Sequence, residues 1–224
     1  DFVSNFTKIA YYKRDPFIVL LQKEETIVLE TILSLYITLM SVIFAGIANM
    51  VFCKYPIAHR LMIPMDAGNG LSDGKRLFGQ NKTWKGFIGM TLFGGLFQVI
   101  WGLILKMLPS LEPLNLFYGV FINSILNNLW IGLLLGLAYA LFELPNSFMK
   151  RRLEIKPGKT ATNQWKWFFV FIDQADSLLG CALVVALLIP TSWSQFFGFI
   201  LLGAATHIVI NQLLYFFKLR KNPF

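Results

Sequence analysis

The sequence predicts an all-α protein, a polytopic transmembrane helix bundle of about five spans with two polar cytoplasmic loops. Of the 224 residues, 56% are hydrophobic and only 14% are charged, whereas a soluble chain carries about a quarter of charged residues. The apolar residues form stretches of roughly 20 or more, the length that a helix needs to cross a bilayer. The basic residues lie mainly in alternate connections between these stretches. These observations exclude a soluble enzyme, a disordered chain and a secreted disulfide scaffold.

Five stretches that are uncharged, or nearly so, predict the spans. They are residues 31–53, 86–105, 113–142, about 167–189 and about 195–217. The third is longer than one straight span needs and holds four asparagines, so it is either tilted or begins as an interfacial turn. The chain then divides into an N-terminal interfacial or mobile segment (1–28), a transmembrane domain that would be catalytic (29–217) and a basic cytoplasmic tail (218–224).

The distribution of basic residues orients the spans. Connections 54–85 and 143–166 hold six basic residues each and the tail holds three, so fifteen of the 20 lie on one side. Lys and Arg are retained on the cytoplasmic side of a membrane. We therefore expect a multi-pass protein of the cell membrane, with its N-terminus outside and any site in the loops facing the cytoplasm. The net charge of +8 is then a topology signal, and no nucleic acid is expected as a partner.

The first polar loop has the composition of an anion site. Residues 66–89 contain six of the 17 glycines, and glycine lets backbone N–H groups converge on a phosphate while basic side chains supply charge. The loop ends at a helix start near Gly86, which also favours a phosphate. It is not a P-loop, because Lys82-Thr83 follow Gly79 too late; the alternative is a flexible connector. The candidate residues of this loop are Asp66, Asp73, Lys75, Arg76, Asn81, Lys82 and Thr83.

The second polar loop contains a basic run next to polar donors. Lys150, Arg151 and Arg152 follow Asn146 and Ser147 closely. Such a run at a span end is typical of a topology signal or of a contact with anionic head groups. A bound phosphate or nucleotide is the alternative that the neighbouring polar donors favour.

Asp173 and Asp176 are the most informative residues, because they interrupt the fourth apolar stretch. Their i, i+3 spacing puts both carboxylates on one helix face, roughly 9 and 13 Å inside the membrane if the helix enters it near Trp167. Each buried charge costs at least about 2.5–3.5 kcal/mol. A divalent cation in a cavity open to the cytoplasm offsets this cost, with Gln174 as an additional neutral donor. The alternative is neutralisation by loop Lys and Arg side chains, and both can hold together.

Two other polar residues in the spans receive no role in the predicted site. His207 lies in the fifth span, and a lone intramembrane histidine more often makes a helix-to-helix hydrogen bond. Glu143 lies at the end of the third span, where an interfacial carboxylate needs no special explanation.

The two basic loops and the carboxylate pair together predict a site for a metal-bound polyphosphate at the membrane surface, with a lipid as second substrate. A lipid phosphate is mostly ionised near neutral pH (second pKa about 6) and brings its own nucleophile. Nucleotidyl transfer to it needs charge neutralisation and alignment more than a general base.

Three segments, in this order and spacing, resemble the signatures of the CDP-archaeol synthase family. They are Asp73-Gly74-Lys75-Arg76 through Gly79-Gln80-Asn81-Lys82-Thr83-Trp84-Lys85-Gly86, Asn146 to Arg152 ending at Pro157-Gly158, and Asp173-Gln174-Ala175-Asp176-Ser177. The resemblance covers about residues 31–217 and implies a CTP-dependent cytidylyltransferase. It would convert CTP and digeranylgeranylglyceryl phosphate into CDP-archaeol and pyrophosphate with Mg²⁺.

Residue roles follow from the resemblance as hypotheses. Asp173 and Asp176 would hold Mg²⁺ against the triphosphate. Lys82, Lys150 and Arg151 would act in catalysis. Asp66 and Asp73 would either bind a second metal or orient the basic residues. The remaining substrate-binding candidates are Lys75, Arg76, Asn81, Thr83, Asn146, Ser147, Arg152 and Gln174.

Two alternatives remain open on the sequence. The related phosphatidate cytidylyltransferases share Ser147-x-x-Lys150-Arg151 and the Asp-x-x-Asp pair, but their His-Gly-Gly element is absent. A small transporter would use Asp173 and Asp176 as a coupling site, although the five spans show no inverted repeat. A CDP-alcohol phosphotransferase is excluded, because Asp73-Gly74 is followed directly by Lys75-Arg76.

Overall fold

A computed structural model describes residues 16–159 and 164–218 and confirms the predicted all-α bundle. Within these residues, five helices are long and apolar enough to cross a membrane. They are α1 (Pro16–Lys54), α2 (Trp84–Lys106), α3 (Ile125–Arg152), α4 (Lys166–Leu188) and α5 (Trp193–Phe216). In a bilayer only a helix or a closed barrel satisfies every backbone polar group, which is why the uncharged stretches fold in this way.

The first helix is longer than the predicted span. It begins at Pro16, and the predicted domain boundary at residue 28 falls inside it. Pro is favourable at the start of a helix, where its missing N–H costs nothing. Residues 1–15 and 219–224, which held most of the predicted N-terminal segment and tail, lie outside the described residues.

The third helix begins later and ends later than predicted. Two 3₁₀ helices, Glu112–Leu114 and Leu116–Gly119, precede it, so the long uncharged stretch does begin as a turn. Ser124 then caps α3 by accepting a hydrogen bond from the Asn127 N–H at 3.2 Å. At its other end α3 continues through Pro145 to Arg152. The first part of the predicted second loop is therefore helical, and it places its polar residues on a rigid element.

Glycines set the distance between α2 and α3. A side chain on Gly94 would meet the Gly132 carbonyl, and one on Gly136 would meet the Met90 carbonyl. Small residues that let two backbones approach closely are typical of helix contacts in membranes, where no hydrophobic driving force brings helices together. The same holds for α4, because Gly180 lies against the Ala138 carbonyl of α3.

Polar side chains link the helices far from the loops. The Asn128 amide donates to Asn123 Oδ1 at 2.7 Å, and its oxygen accepts from the Tyr118 hydroxyl at 3.0 Å. Asn123 in turn donates to the Gly102 carbonyl at 3.0 Å. The asparagines of the third uncharged stretch thus form hydrogen bonds with the backbone and with each other, at the place where the 3₁₀ helices meet α2.

The helices place both polar loops at one end of the bundle, which we call the basic end. It carries Lys54, the connection 55–83, the connection that follows Arg152, and the end of α5 at Phe216. The first connection lacks extended strands and holds only two isolated bridges, Pro64 with Thr83 and Gly70 with Arg76. The candidate site lies between the basic end and the interior of the bundle.

Candidate active site

A cavity of about 1160 Å³ runs from the basic end into the bundle. Lys54 and Lys159 line it near the loops, and Leu35 and Phe199 line it deep between the helices. Its walls come from all five helices and from both polar connections. The part near the basic end is lined by charged and amide side chains, which include Asn81, Lys82, Glu143, Asn146, Lys150, Arg151, Asp173 and Asp176.

Asp173 and Asp176 both face this cavity, and one amide joins them. Asn146 Nδ2 lies 2.7 Å from Asp173 Oδ1 and 2.7 Å from Asp176 Oδ2. Two carboxylates held by one nitrogen repel each other by about 3 kcal/mol at a separation of about 5 Å and an effective dielectric constant of about 20. The fold therefore brings together two like charges that need a cation or further donors.

Two of the three carboxylates that line the cavity form an ion pair with a lysine. Lys150 Nζ forms an ion pair with Asp173, and Lys82 Nζ forms one with Glu143. The predicted neutralisation of the aspartates by a loop-end Lys is thus present for Asp173. Both lysines line the cavity. Each would bind a phosphate there when its carboxylate partner binds a cation instead.

Glu143 lines the cavity, although the sequence made it only a weaker candidate and gave it no role. On α3 it precedes Asn146 by three residues, Ser147 by four and Lys150 by seven, so all four share one face of the helix. This periodicity was the signal that could have identified it, had the helix been expected to continue past Pro145.

Lys82 stays a cation in a partly buried position, with 26% of its side chain exposed. Burial alone would lower the pKa of Lys82, but the attraction and hydrogen bond of Glu143, with smaller contributions from Asp176 and Asp173, raise that pKa above its ordinary value. The side chain is thus a permanent cation at the end of the first loop, beside the three carboxylates.

Arg151 offers a donor to an anion. Its Nη1 is buried and has no hydrogen-bond partner among the described residues, while its Nε lies 3.5 Å from the Ser147 carbonyl. A buried guanidinium nitrogen without an acceptor costs free energy, and a phosphate in the cavity would supply that acceptor.

Asp66 organises the first loop and does not face the cavity. It forms an ion pair with Arg76 and accepts hydrogen bonds from the backbone N–H groups of Gly68, Phe78 and Gly79 at 3.0, 3.1 and 2.8 Å. Burial alone would raise the pKa of Asp66, but these donors hold it well below its ordinary range. The loop glycines shape the backbone around this carboxylate, and Phe78, Asn81 and Lys82 are the loop residues that reach the cavity.

Arg152 fastens the first loop to the end of α3. It forms an ion pair with Asp73, and its Nη2 donates to the Lys75 carbonyl at 2.8 Å. In the other direction, Lys75 Nζ donates a hydrogen bond to the Arg152 carbonyl at 3.1 Å and forms an ion pair with Glu154 at 3.0 Å. The backbone N–H of Lys75, together with Arg152, lowers the pKa of Asp73. Of the two predicted roles for Asp66 and Asp73, the structure favours the orientation of basic residues.

Two further predicted substrate-binding residues have structural partners. The Thr83 hydroxyl caps α2 by accepting from the Gly86 N–H at 3.2 Å. Gln174 is buried against α5, where its Oε1 accepts from Asn211 Nδ2 at 2.9 Å, because position 174 is rotated by about 100° around the helix from Asp173, away from the face that both aspartates share. Gln174 is not among the residues that line the cavity.

The donor set fits a divalent cation held with substrate. Asp173 and Asp176 offer hard carboxylate oxygens, and Asn146 Oδ1 is buried with no hydrogen-bond partner among the described residues. Within 16–159 and 164–218, no cluster of three or more acidic, His or Cys side chains is arranged around a metal position. The two carboxylates can instead hold a divalent cation whose other ligands are substrate phosphates and waters.

Comparison with known proteins identifies the family. Residues 26–224 match the family described as "CarS-like: CDP-archaeol synthase". Among similar proteins is the CDP-archaeol synthase of Pyrococcus furiosus, 36% identical over 107 residues, which are 48% of this chain and 56% of that protein. The enzyme of the same name from Thermofilum pendens is 28% identical over 80% of this chain and 74% of its own length, and that of Archaeoglobus fulgidus is 30% identical over 71% and 83%.

A solved structure has the same fold. It is described as "Structural insight into an intramembrane enzyme for archaeal membrane lipids biosynthesis", with a TM-score of 0.55, 21% sequence identity, and coverage of 81% of this chain and 92% of that chain. The predicted resemblance is confirmed, and with it the enzyme class, a nucleotidyltransferase of membrane lipid synthesis. The chain belongs to the CDP-archaeol synthase family.

Proposed function

We propose that the protein transfers the cytidylyl group of CTP to a lipid phosphate inside this cavity, forming CDP-archaeol and pyrophosphate. The observation that carries the proposal is the arrangement of two joined aspartates opposite Lys82, Lys150 and Arg151, in one cavity that continues into the apolar interior. A triphosphate and a lipid phosphate together bring several negative charges, and a divalent cation held by the aspartates, together with Lys82, Lys150 and Arg151, would offset part of them.

The residues of this chain serve the reaction by alignment and charge. Asp173 and Asp176 would hold Mg²⁺, which when bound supplies positive charge at the phosphates. Lys82, Lys150 and Arg151 lie within reach of the oxygens that gain charge as pyrophosphate leaves. The lipid phosphate is itself an oxyanion near neutral pH, so its attack on the α-phosphorus needs no histidine or other base.

The apolar part of the cavity accounts for the lipid. Leu39, Val42, Leu178 and Leu202 line it, and such a wall suits hydrocarbon chains. The positive-inside rule assigns the basic end to the cytoplasm, where CTP is made, so we place the site at the inner face of the cell membrane.

An activity assay tests this function. Purified protein in nanodiscs with radiolabelled CTP, Mg²⁺ and digeranylgeranylglyceryl phosphate is expected to yield a CDP-lipid and pyrophosphate, and diacyl phosphatidate is the comparison substrate. Asp176→Asn should lower turnover by about a hundredfold or more, since it removes a charge that the cation requires.

Glu112→Gln supplies the matched control, since Glu112 lies at the opposite end of the bundle and accepts from Asn123 at 2.8 Å. It should leave turnover nearly unchanged. Full turnover by Asp176→Asn, or solute transport by proteoliposomes in the absence of CTP, would overturn the proposal.

A further inference from the structure

A hydrogen-bonded pair of polar side chains lies in the cavity beyond the charged residues. The Tyr139 hydroxyl and His207 Nε2 are 3.1 Å apart, joining α3 to α5. Both side chains line the cavity. Neither is needed for the charge balance described above, and their contact is a helix-to-helix hydrogen bond of the kind expected of His207; its place in the cavity wall gives the pair a further role.

The position of the pair marks a boundary in the cavity. Tyr139 precedes Glu143 by four residues on α3, so it lies one helical turn, about 5.4 Å, deeper than the carboxylate that faces Lys82. Beyond it the wall includes Leu39, Val42 and Phe199. The pair thus separates the charged part of the cavity from its apolar part.

The cavity extends past this level, because Gly46, Tyr139 and His207 all line it. Gly46 of α1 carries no side chain, and a Cβ built there would lie at van der Waals distance, 3.9 Å, from the Tyr139 hydroxyl. A larger residue at position 46 would fill the cavity where the pair faces α1. The absence of a side chain at Gly46 keeps the cavity open between its two parts.

When a lipid phosphate binds as the proposed function requires, one of its chemical groups lies at this boundary. Its phosphate lies among the basic residues and its chains lie in the apolar part, so the glycerol, with its two linkage oxygens, lies between them. Those oxygens accept hydrogen bonds and cannot donate. A tyrosine hydroxyl both donates and accepts, and a neutral imidazole does so through its two nitrogens, so Tyr139 can accept from His207 and donate to a linkage oxygen.

We infer that Tyr139 and His207 are positioning residues that bind the glycerol linkage of the lipid substrate, an inference that rests on the proposed function. They fix how deep the lipid sits and hence where its phosphate meets the α-phosphorus of CTP. A hydrogen bond of this kind discriminates a glycerol lipid from a simple alkyl phosphate, which has a phosphate and a chain but no linkage oxygens.

The test combines a change in the protein with a change in the lipid. For wild type, Tyr139→Phe and His207→Leu, the assay measures KM for digeranylgeranylglyceryl phosphate, KM for CTP, and the inhibition constant of hexadecyl phosphate. Loss of one neutral hydrogen bond is expected to raise KM for the glycerol lipid by about tenfold. KM for CTP and the inhibition constant of hexadecyl phosphate should stay unchanged.

Tyr118→Phe is the matched control for loss of a tyrosine hydroxyl, since Tyr118 donates to Asn128 at 3.0 Å far from the cavity, and it should change none of the three constants. The inference is overturned if the variants weaken both lipids equally, if they alter KM for CTP, or if wild type does not prefer the glycerol lipid. A wild-type protein that forms no CDP-lipid refutes the proposed function instead, and the two failures are therefore distinguishable.

Discussion

Replacement of Asn146 by Ala is the sharpest test of how the site is built. Its side-chain nitrogen donates to both aspartates at 2.7 Å, and each hydrogen bond to a charged group contributes about 1.5–3 kcal/mol. Without it the amide no longer offsets the repulsion of about 3 kcal/mol between the carboxylates, and part of the binding energy of the cation and nucleotide must bring them together. A loss of about 3 kcal/mol corresponds to roughly a hundredfold decrease in kcat/KM.

The assay is the formation of labelled CDP-lipid over a range of Mg²⁺ and CTP concentrations, with thermal unfolding followed in the same detergent. Asn146→Ala should require more Mg²⁺ for half-maximal rate as well as showing the lower kcat/KM. Asn128→Ala is the matched control, because Asn128 is a buried amide on the same helix with several hydrogen bonds, about 27 Å along its axis. It should lower the melting temperature and leave the Mg²⁺ requirement intact. If Asn146→Ala keeps kcat/KM within about threefold of wild type, the aspartates do not depend on this amide and the reasoning fails.

Two other outcomes follow from the ion pairs. Lys82→Met should lower kcat by about a hundredfold or more, because it removes a cation from the developing charge, and Glu143→Gln should lower it less, since it releases Lys82 without discharging it; equal losses would contradict this order. Asp66→Asn should destabilise the fold by about 3 kcal/mol, because it leaves Arg76 without its buried partner. The Asp66 carboxylate has a lowered pKa in the folded state, so its contribution to the free energy of unfolding is complete above the ordinary pKa of 3.8 and is lost as the pH falls toward the folded-state pKa. The free energies of unfolding of wild type and Asp66→Asn, measured by chemical unfolding between about pH 5 and pH 2, should therefore converge as the pH falls. A constant difference between them would count against the ion pair.

The number and order of helices were predictable because they depend on hydrocarbon thickness and on charge. Residues 86–105 and α2 agree within two residues at the start, since Thr83 caps the helix just before Trp84. For the start of α3 the sequence left two alternatives, a tilted span or a turn at its beginning. Residues 113–124 are uncharged like the spans, so the residue at which α3 begins depends on local hydrogen bonds such as those of Asn115 and Asn123.

The central site residues were predictable because their chemistry is costly inside a membrane. Asp173 and Asp176 have no satisfactory place in hydrocarbon, and this alone led to the cavity. The loop charges were harder to assign, because a basic residue in a cytoplasmic loop has several inexpensive partners. Arg152 and Arg76 bind Asp73 and Asp66 within the loops, a pairing that depends on three-dimensional proximity and leaves no periodic signal in the sequence.

The contact between the backbones of α2 and α3 has a consequence for variation far from the chemistry. Lys82 lies just before α2 and Asn146 lies on α3. The distance between these two walls of the site therefore depends on the close approach of the helices at Gly94, Gly132 and Gly136. A methyl group added at any of these three glycines would push α2 and α3 apart and move Lys82 away from Asp173 and Asp176. A substitution at this helix contact, which touches no substrate, would thus abolish activity as a substitution of Asp173 or Asp176 would.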